Sequence, residues 1–96
     1  MLKITLTDKA KSDLEAIHEY CTTRSGLKNA NQIVMDILES LERLSTFSGL
    51  GRPSQLPDVR ELVFPHAPYL APYRVKNNQV QILRVLHQRT NHSPIV

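Results

Sequence analysis

The sequence predicts an α+β domain: an N-terminal strand, an antiparallel two-helix hairpin, and a C-terminal three-stranded antiparallel meander on which the helices pack. Three observations predict it. Apolar residues recur at helical spacing from Ala10 to Phe47. They crowd into short, β-branched and aromatic runs from Val59 to His87. The breaks between these runs fall at Gly, Pro and Asn, the residues that punctuate chains. Ninety-six residues suit one domain, spanning 1–96, with 90–96 expected as a loose polar tail.

Each element has its own signal. Leu2, Ile4 and Leu6 alternate with Lys3 and Thr5, a half-buried strand. Thr7 suits a helix N-cap, and Asp8 then sits where the helix dipole favours an anion. Ala10, Leu14, Ile17 and Cys21 form one helical stripe, which should end near Arg24 because Ser25-Gly26 supplies a stop. A second helix restarts near Asn29. Ala30, Ile33, Val34, Ile37, Leu38, Leu41, Leu44 and Phe47 carry it about five turns, to Ser48-Gly49. Gly49 to Asp58 reads as a loop. Three strands follow, Val59–Phe64, Tyr69–Val75 and Val80–His87.

Asn77-Asn78 suits a two-residue hairpin turn, because asparagine tolerates positive φ. That turn sets Val75 opposite Val80, Arg74 opposite Gln81 and Tyr73 opposite Ile82. A regular ladder would then put Tyr69, Ala71, Tyr73 and Val75 on one face with Val80, Ile82, Arg84 and Leu86, and His87 on the other. Both faces are partly apolar, so the pattern does not say which one the helices cover. Pro72 lacks an N–H, which calls for a bulge or a non-bonded position there.

Composition excludes several classes of function. No apolar run approaches a membrane span, and the N-terminus lacks the apolar core of a secretory signal. Cys21 is the single cysteine, so no internal disulfide is possible and a reducing cytoplasm is the expected compartment. No nucleotide-binding loop, zinc motif or paired carboxylate is present, and His66, His87 and His92 lack metal-ligand spacing; neither metal nor cofactor is expected.

The charge is unevenly distributed. Residues 1–48 hold six Lys or Arg and seven acids, whereas residues 49–96 hold six Lys or Arg and two acids. Five of those latter six bases are arginine, whose planar fork grips phosphate or carboxylate. Arg52, Arg60, Arg74, Arg84 and Arg89 lie on or beside the predicted strands, with His87, and make the sheet the candidate working surface. His87 is either a general acid or base for RNA cleavage or a strand-end residue capping the core. Tyr69 and Tyr73 suit base stacking or ordinary packing.

The order and spacing of several short strings resemble the RelE/ParE superfamily of bacterial type II toxin–antitoxin toxins. They are the Ala10, Asp13-Leu14, Ile17 and Tyr20 helix, the Leu41 and Leu44 helix end, Gly51-Arg52-Pro53, Val59-Arg60-Glu61-Leu62, Pro68-Tyr69, Tyr73-Arg74-Val75, and Val80 through Arg89. The resemblance implies a cognate antitoxin that wraps over the toxin. It suggests an apolar groove between helices and sheet, with arginines at its rim. It also implies one of two activities. ParE-like members poison DNA gyrase without a catalytic set; RelE-like members cut mRNA on the ribosome.

The long helices and the His87-Gln88-Arg89 ending resemble the ParE-like branch. The loop before the sheet has only Arg52 where RelE-like members carry a lysine cluster, and no tyrosine follows the last strand. The gyrase reading makes Arg52, Arg60, Arg74, Arg84 and Arg89 the target-binding residues. The ribonuclease alternative makes Arg60, Arg84 and His87 the catalytic ones. A relative that binds antitoxin but has lost its toxicity is the third reading.

Overall fold

In the computed structural model, which describes residues 1–65 and 67–88, the elements follow the expected order. They are β1 (Lys3–Leu6), α1 (Asp8–Ser25), α2 (Leu27–Glu42), a 3-10 turn (Arg43–Ser45), β2 (Arg52–Pro53), β3 (Arg60–Val63), β4 (Tyr69–Lys76), β5 (Gln79–Ile82) and β6 (Leu86–His87). The sheet order is β1-β5-β4-β3-β2, with β6 also on β4. The N-terminal strand runs parallel to β5, and all other pairs are antiparallel.

The two helices are separated by one residue. Gly26 at φ 91° ends α1 and starts α2, a backbone shape that L side chains rarely adopt. That is why α2 begins two residues earlier than expected. It also ends earlier, at Glu42, and the 3-10 turn replaces its last stretch. The apolar stripe of α2 is wider than the arc its core covers. Ala30, Ile37, Leu41 and Leu44 are buried, while Leu38 and Phe47, expected in the core, are exposed.

The core lies between the helices and one face of the sheet. Ala10, Ile17 and Cys21 of α1 and the buried residues of α2 meet Leu62, Tyr69, Ala71, Tyr73, Val80 and Ile82. The helices thus cover the face that carries the two tyrosines. The expected turn holds, with Asn77 at φ 53° and Asn78 at φ 64°, and so does the register Val75–Val80, Arg74–Gln81 and Tyr73–Ile82.

The last predicted strand is broken. Tyr73 faces Ile82, but Leu70 faces Leu86: three steps along β4 meet four along its partner. One extra residue between Leu83 and Val85 makes a bulge, which inverts the facing beyond it. Val85 is buried, and His87 lies opposite Tyr69 on the helix side rather than on the far face. The regular ladder expected for Arg84, Leu86 and His87 is corrected accordingly. Pro72 sits at this break. Leu83 donates its N–H to the Pro72 carbonyl at 2.9 Å, and Pro72 has no N–H to return. The Leu83 carbonyl instead accepts from the Thr7 hydroxyl at 2.8 Å. The same hydroxyl accepts from Ala10 N–H as the N-cap of α1.

Thr7→Val keeps the shape but removes both bonds. It should cost about 2 kcal/mol, one part for the cap and one for the orphaned carbonyl. Urea denaturation of the two proteins measures this, and an unchanged midpoint would refute the double role of Thr7.

Candidate functional site

The arginines of the sheet have distinct surroundings. Arg52 and Glu61 face each other across β2 and β3 and pair at 3.2 Å on an exposed surface. Arg60 starts β3 and donates through Nη1 to the Gly51 carbonyl at 2.6 Å. Arg74 is braced on the far face, its Nε donating to Gln81 Oε1 at 2.7 Å. Arg84 is paired with a carboxylate on α1. Its Nε and Nη2 donate to the two oxygens of Asp13 at 2.8 and 3.0 Å, and Val85 N–H adds a third bond at 3.0 Å. Burial pushes the Asp13 carboxyl up, but the hydrogen bonds from Arg84 and Val85 and the charges of Arg84 and Lys9 more than offset it. Its pKa therefore lies below the usual carboxylate value.

His87 stands at the other end of β4. Its ring meets that of Tyr69 edge-on, centroids 5.3 Å apart. Tyr69 in turn approaches Cys21 Sγ at 4.0 Å inside the core. Burial, reinforced by Cys21 and Tyr20, pushes the Tyr69 phenol up to about 12, so it keeps its proton near neutrality. Arg60 faces Tyr73 and His87 faces Tyr69, four residues along one strand. At the usual rise that is about 13 Å. The three residues of the nuclease alternative are therefore spread along the sheet rather than gathered. Arg89, the fifth arginine of the target-binding set, and His66 and His92 lie outside the described residues.

Two concave surfaces lie beside these arginines. The larger, an open cavity of about 830 Å³, sits where β4 outruns β3, and Arg60, Arg74 and Lys76 line it with Leu56, Asp58 and Val75. The smaller, about 400 Å³, lies between the end of α2 and the β2–β3 edge. Leu50, Leu62, Val63 and Pro65 make it apolar, and Arg43 and Arg52 stand among its lining residues. Among the described residues, no group of three His, Cys, Asp or Glu is placed to hold a metal ion, and no helix is long and apolar enough to cross a membrane.

Lys76 and Asp13 were not singled out as site residues from sequence. Lys76 was signalled by its place beside the Asn77-Asn78 turn, which puts it at the open end of β4. Asp13 lies three residues after Ala10 and four before Ile17, at the border of the buried stripe of α1, where a carboxylate needs a partner.

A strand, a helical hairpin and a largely antiparallel sheet in this arrangement are the α+β fold of ParE/RelE-like structures. Residues 4–92 match the family described as "ParE toxin of type II toxin-antitoxin system, parDE", and the chain belongs to that family. A chain of the chromosomal ParDE TA system from P. aeruginosa is similar in structure, with a TM-score of 0.84 and 38% identity over 91% of this chain and 96% of that one. Toxin ParE1 of Caulobacter vibrioides is 29% identical over 86 residues, 90% of this chain and 88% of that protein. A Sinorhizobium fredii protein, Y4kP, is 36% identical over 58 residues; the matched part spans 60% of this chain and 59% of that protein. The E. coli DinJ-YafQ complex shares the fold, with a TM-score of 0.55 at 13% identity.

Proposed function

We propose that this toxin acts in the cytoplasm by poisoning DNA gyrase, that it is neutralised by a cognate antitoxin, and that it does so without nuclease catalysis. The observation that carries the reading is the dispersal of Arg60, Arg84 and His87. Arg84 is paired with Asp13 through two of its nitrogens, and Arg60 stands about 13 Å along the strand from His87. General acid–base catalysis needs its groups within hydrogen-bond reach of the same reacting atoms. Membership of the ParE family supports the same reading. For the antitoxin, support comes from the apolar groove between α2 and the β2–β3 edge, with Arg43 and Arg52 among its lining residues. An amphipathic segment carrying acidic residues beside its apolar face suits such a groove.

The purified protein is expected to trap gyrase–DNA cleavage complexes, and His87→Ala is expected to trap them to within about twofold of the parent protein, as for a group outside the reacting centre. A plasmid-linearisation assay with gyrase reads this. If gyrase is untouched while ribosome-bound mRNA is cut, and His87→Ala stops that cutting, the ribonuclease reading replaces this one. Absence of both effects, with no cost to growth, leaves the non-toxic relative.

A further inference from the structure

The cavity at the end of β4 has an unusual wall. β3 leaves the ladder at Arg60, because Asp58 at φ 61° turns the chain and Val59 N–H bonds back to the Leu56 carbonyl at 3.3 Å. Among the described residues, β4 continues unpaired on that side through Arg74, Val75 and Lys76. Backbone groups alternate in direction along a strand. Phe64 N–H bonds to the Tyr69 carbonyl at 3.2 Å, so Tyr69, Ala71, Tyr73 and Val75 turn their backbone groups toward the β3 side. The backbone groups of Arg74 and Lys76 turn the other way, toward β5. Val75 therefore offers one N–H and one C=O to the cavity with no strand of the described residues beside them, a small sheet edge.

The side chains around this edge fix what fits it. Val75 is 47% exposed and Leu56 63% exposed, and both line the cavity. Arg74 and Lys76 flank Val75 on the opposite face of the strand, and Arg60 closes the inner end. Asp58 is the single acid among the lining residues. Arg60 and Arg74 are held by Gly51 and Gln81 through one nitrogen each, which leaves each guanidinium further N–H donors for an oxyanion.

We propose that this cavity binds an extended peptide that adds a short strand to β4, with the pattern acidic–apolar–acidic. Running antiparallel to β4, where β3 would have continued, the central residue exchanges two backbone hydrogen bonds with Val75. Its side chain lies beside Val75 and Leu56. The residue before it faces Lys76, and the residue after it faces Arg74. Main-chain bonds supply affinity and the flanking carboxylates supply selectivity. A nucleic acid has no use for the backbone edge or for the two aliphatic side chains, so a protein segment is the better occupant. The site is separate from the groove beside α2, and it does not depend on which target the toxin acts on.

The probe is a capped Ser-Glu-Val-Glu-Ser peptide, titrated into the 15N-labelled full chain. Shifts centred on the Val75 and Leu56 amides are expected. The same peptide with N-methylated valine should lose binding. Lys76→Glu, on the surface, should weaken the parent peptide by about fivefold. It should favour Ser-Lys-Val-Glu-Ser over Ser-Glu-Val-Lys-Ser, since only the first residue of the triplet faces position 76. Absence of shifts at Val75 with millimolar peptide overturns the proposal, as does tighter binding of a short oligothymidylate at the same residues. Equal response of Lys76→Glu to the two swapped peptides overturns the assigned direction and register.

Discussion

Gly51→Ala is expected to destabilise the fold by roughly 3 kcal/mol or more. A Cβ at this position would stand 2.6 Å from Tyr73 Cε1, 2.7 Å from its hydroxyl and 2.8 Å from the Glu61 carbonyl. Tyr73 is fully buried and Glu61 contributes backbone, so neither can yield. The contact is close because the Gly51 N–H bonds to the Tyr73 hydroxyl at 2.8 Å, while that hydroxyl donates to the Ser48 carbonyl at 2.7 Å. One phenol thus fastens the β2 loop to the centre of the sheet. Tyr73→Phe removes the two hydrogen bonds alone and should cost about 2 kcal/mol. Adding it to Gly51→Ala should not rescue the variant, because Cε1 remains. Chemical denaturation of the two single variants and the double variant measures these effects; recovery in the double variant would show that the Tyr73 hydroxyl, rather than Cε1 or the Glu61 carbonyl, is what excludes a side chain. A displaced Gly51 also releases Arg60, which rests on its carbonyl, so peptide binding in the β4 cavity should fall with it.

Asp13→Ala is expected to cost about 2 kcal/mol at neutral pH. Three hydrogen bonds are lost, two of them from a guanidinium. The value is kept at the low end because the Arg84 side chain is 40% exposed and water screens the pair. The loss should depend on pH. The folded Asp13 holds its proton less tightly than the unfolded one, so its contribution is complete above the ordinary carboxylate value of 3.8 and fades as pH falls through the lower folded value. Parent and variant stabilities should therefore converge in acid and separate toward neutrality. Parallel curves across that range would mean that the pair contributes nothing through ionisation. Asp13 also clamps the chain at Val85, so its removal should loosen the bulge and the Tyr69–His87 contact beyond it.

Most of the fold was legible because its signals are local. Gly26, Asn77-Asn78 and the alternation in β1 each act within a few residues. What the residues did not disclose depends on distant partners. The parallel seat of β1 on β5 and the two-residue strand β2 rest on pairing between segments far apart in sequence. The bulge after Ile82 was legible only in part: Pro72, without an N–H, called for a bulge or a non-bonded position, but not for its place on the partner strand. Val85 supplies one more apolar residue to a run that already read as a strand, and Asp13 and Thr7, which secure the break, come from the other end of the chain. The site suffered most from it. Five arginines in a basic half of the chain suggested one cluster, but Glu61 and Asp13 pair with two of them, and the opening at Val75 exists because Asp58 bends the neighbouring strand away. Acids that neutralise bases across a fold leave little trace in local charge patterns.

Pro72 gives the sheet a dependence on time as well as on geometry. The rung beside it is closed by the hydroxyl of Thr7, 76 positions away along the chain from Leu83. A β4–β5 hairpin formed early can zip from its Asn77-Asn78 turn inward to Tyr73–Ile82, but there it must wait. The next carbonyl gains its donor only when the start of α1 docks, and β6 lies beyond that point. Contacts of such long sequence separation form late and slow the search. The C-terminal strand, which carries His87, should thus be the last part of the sheet to become ordered and the first to open.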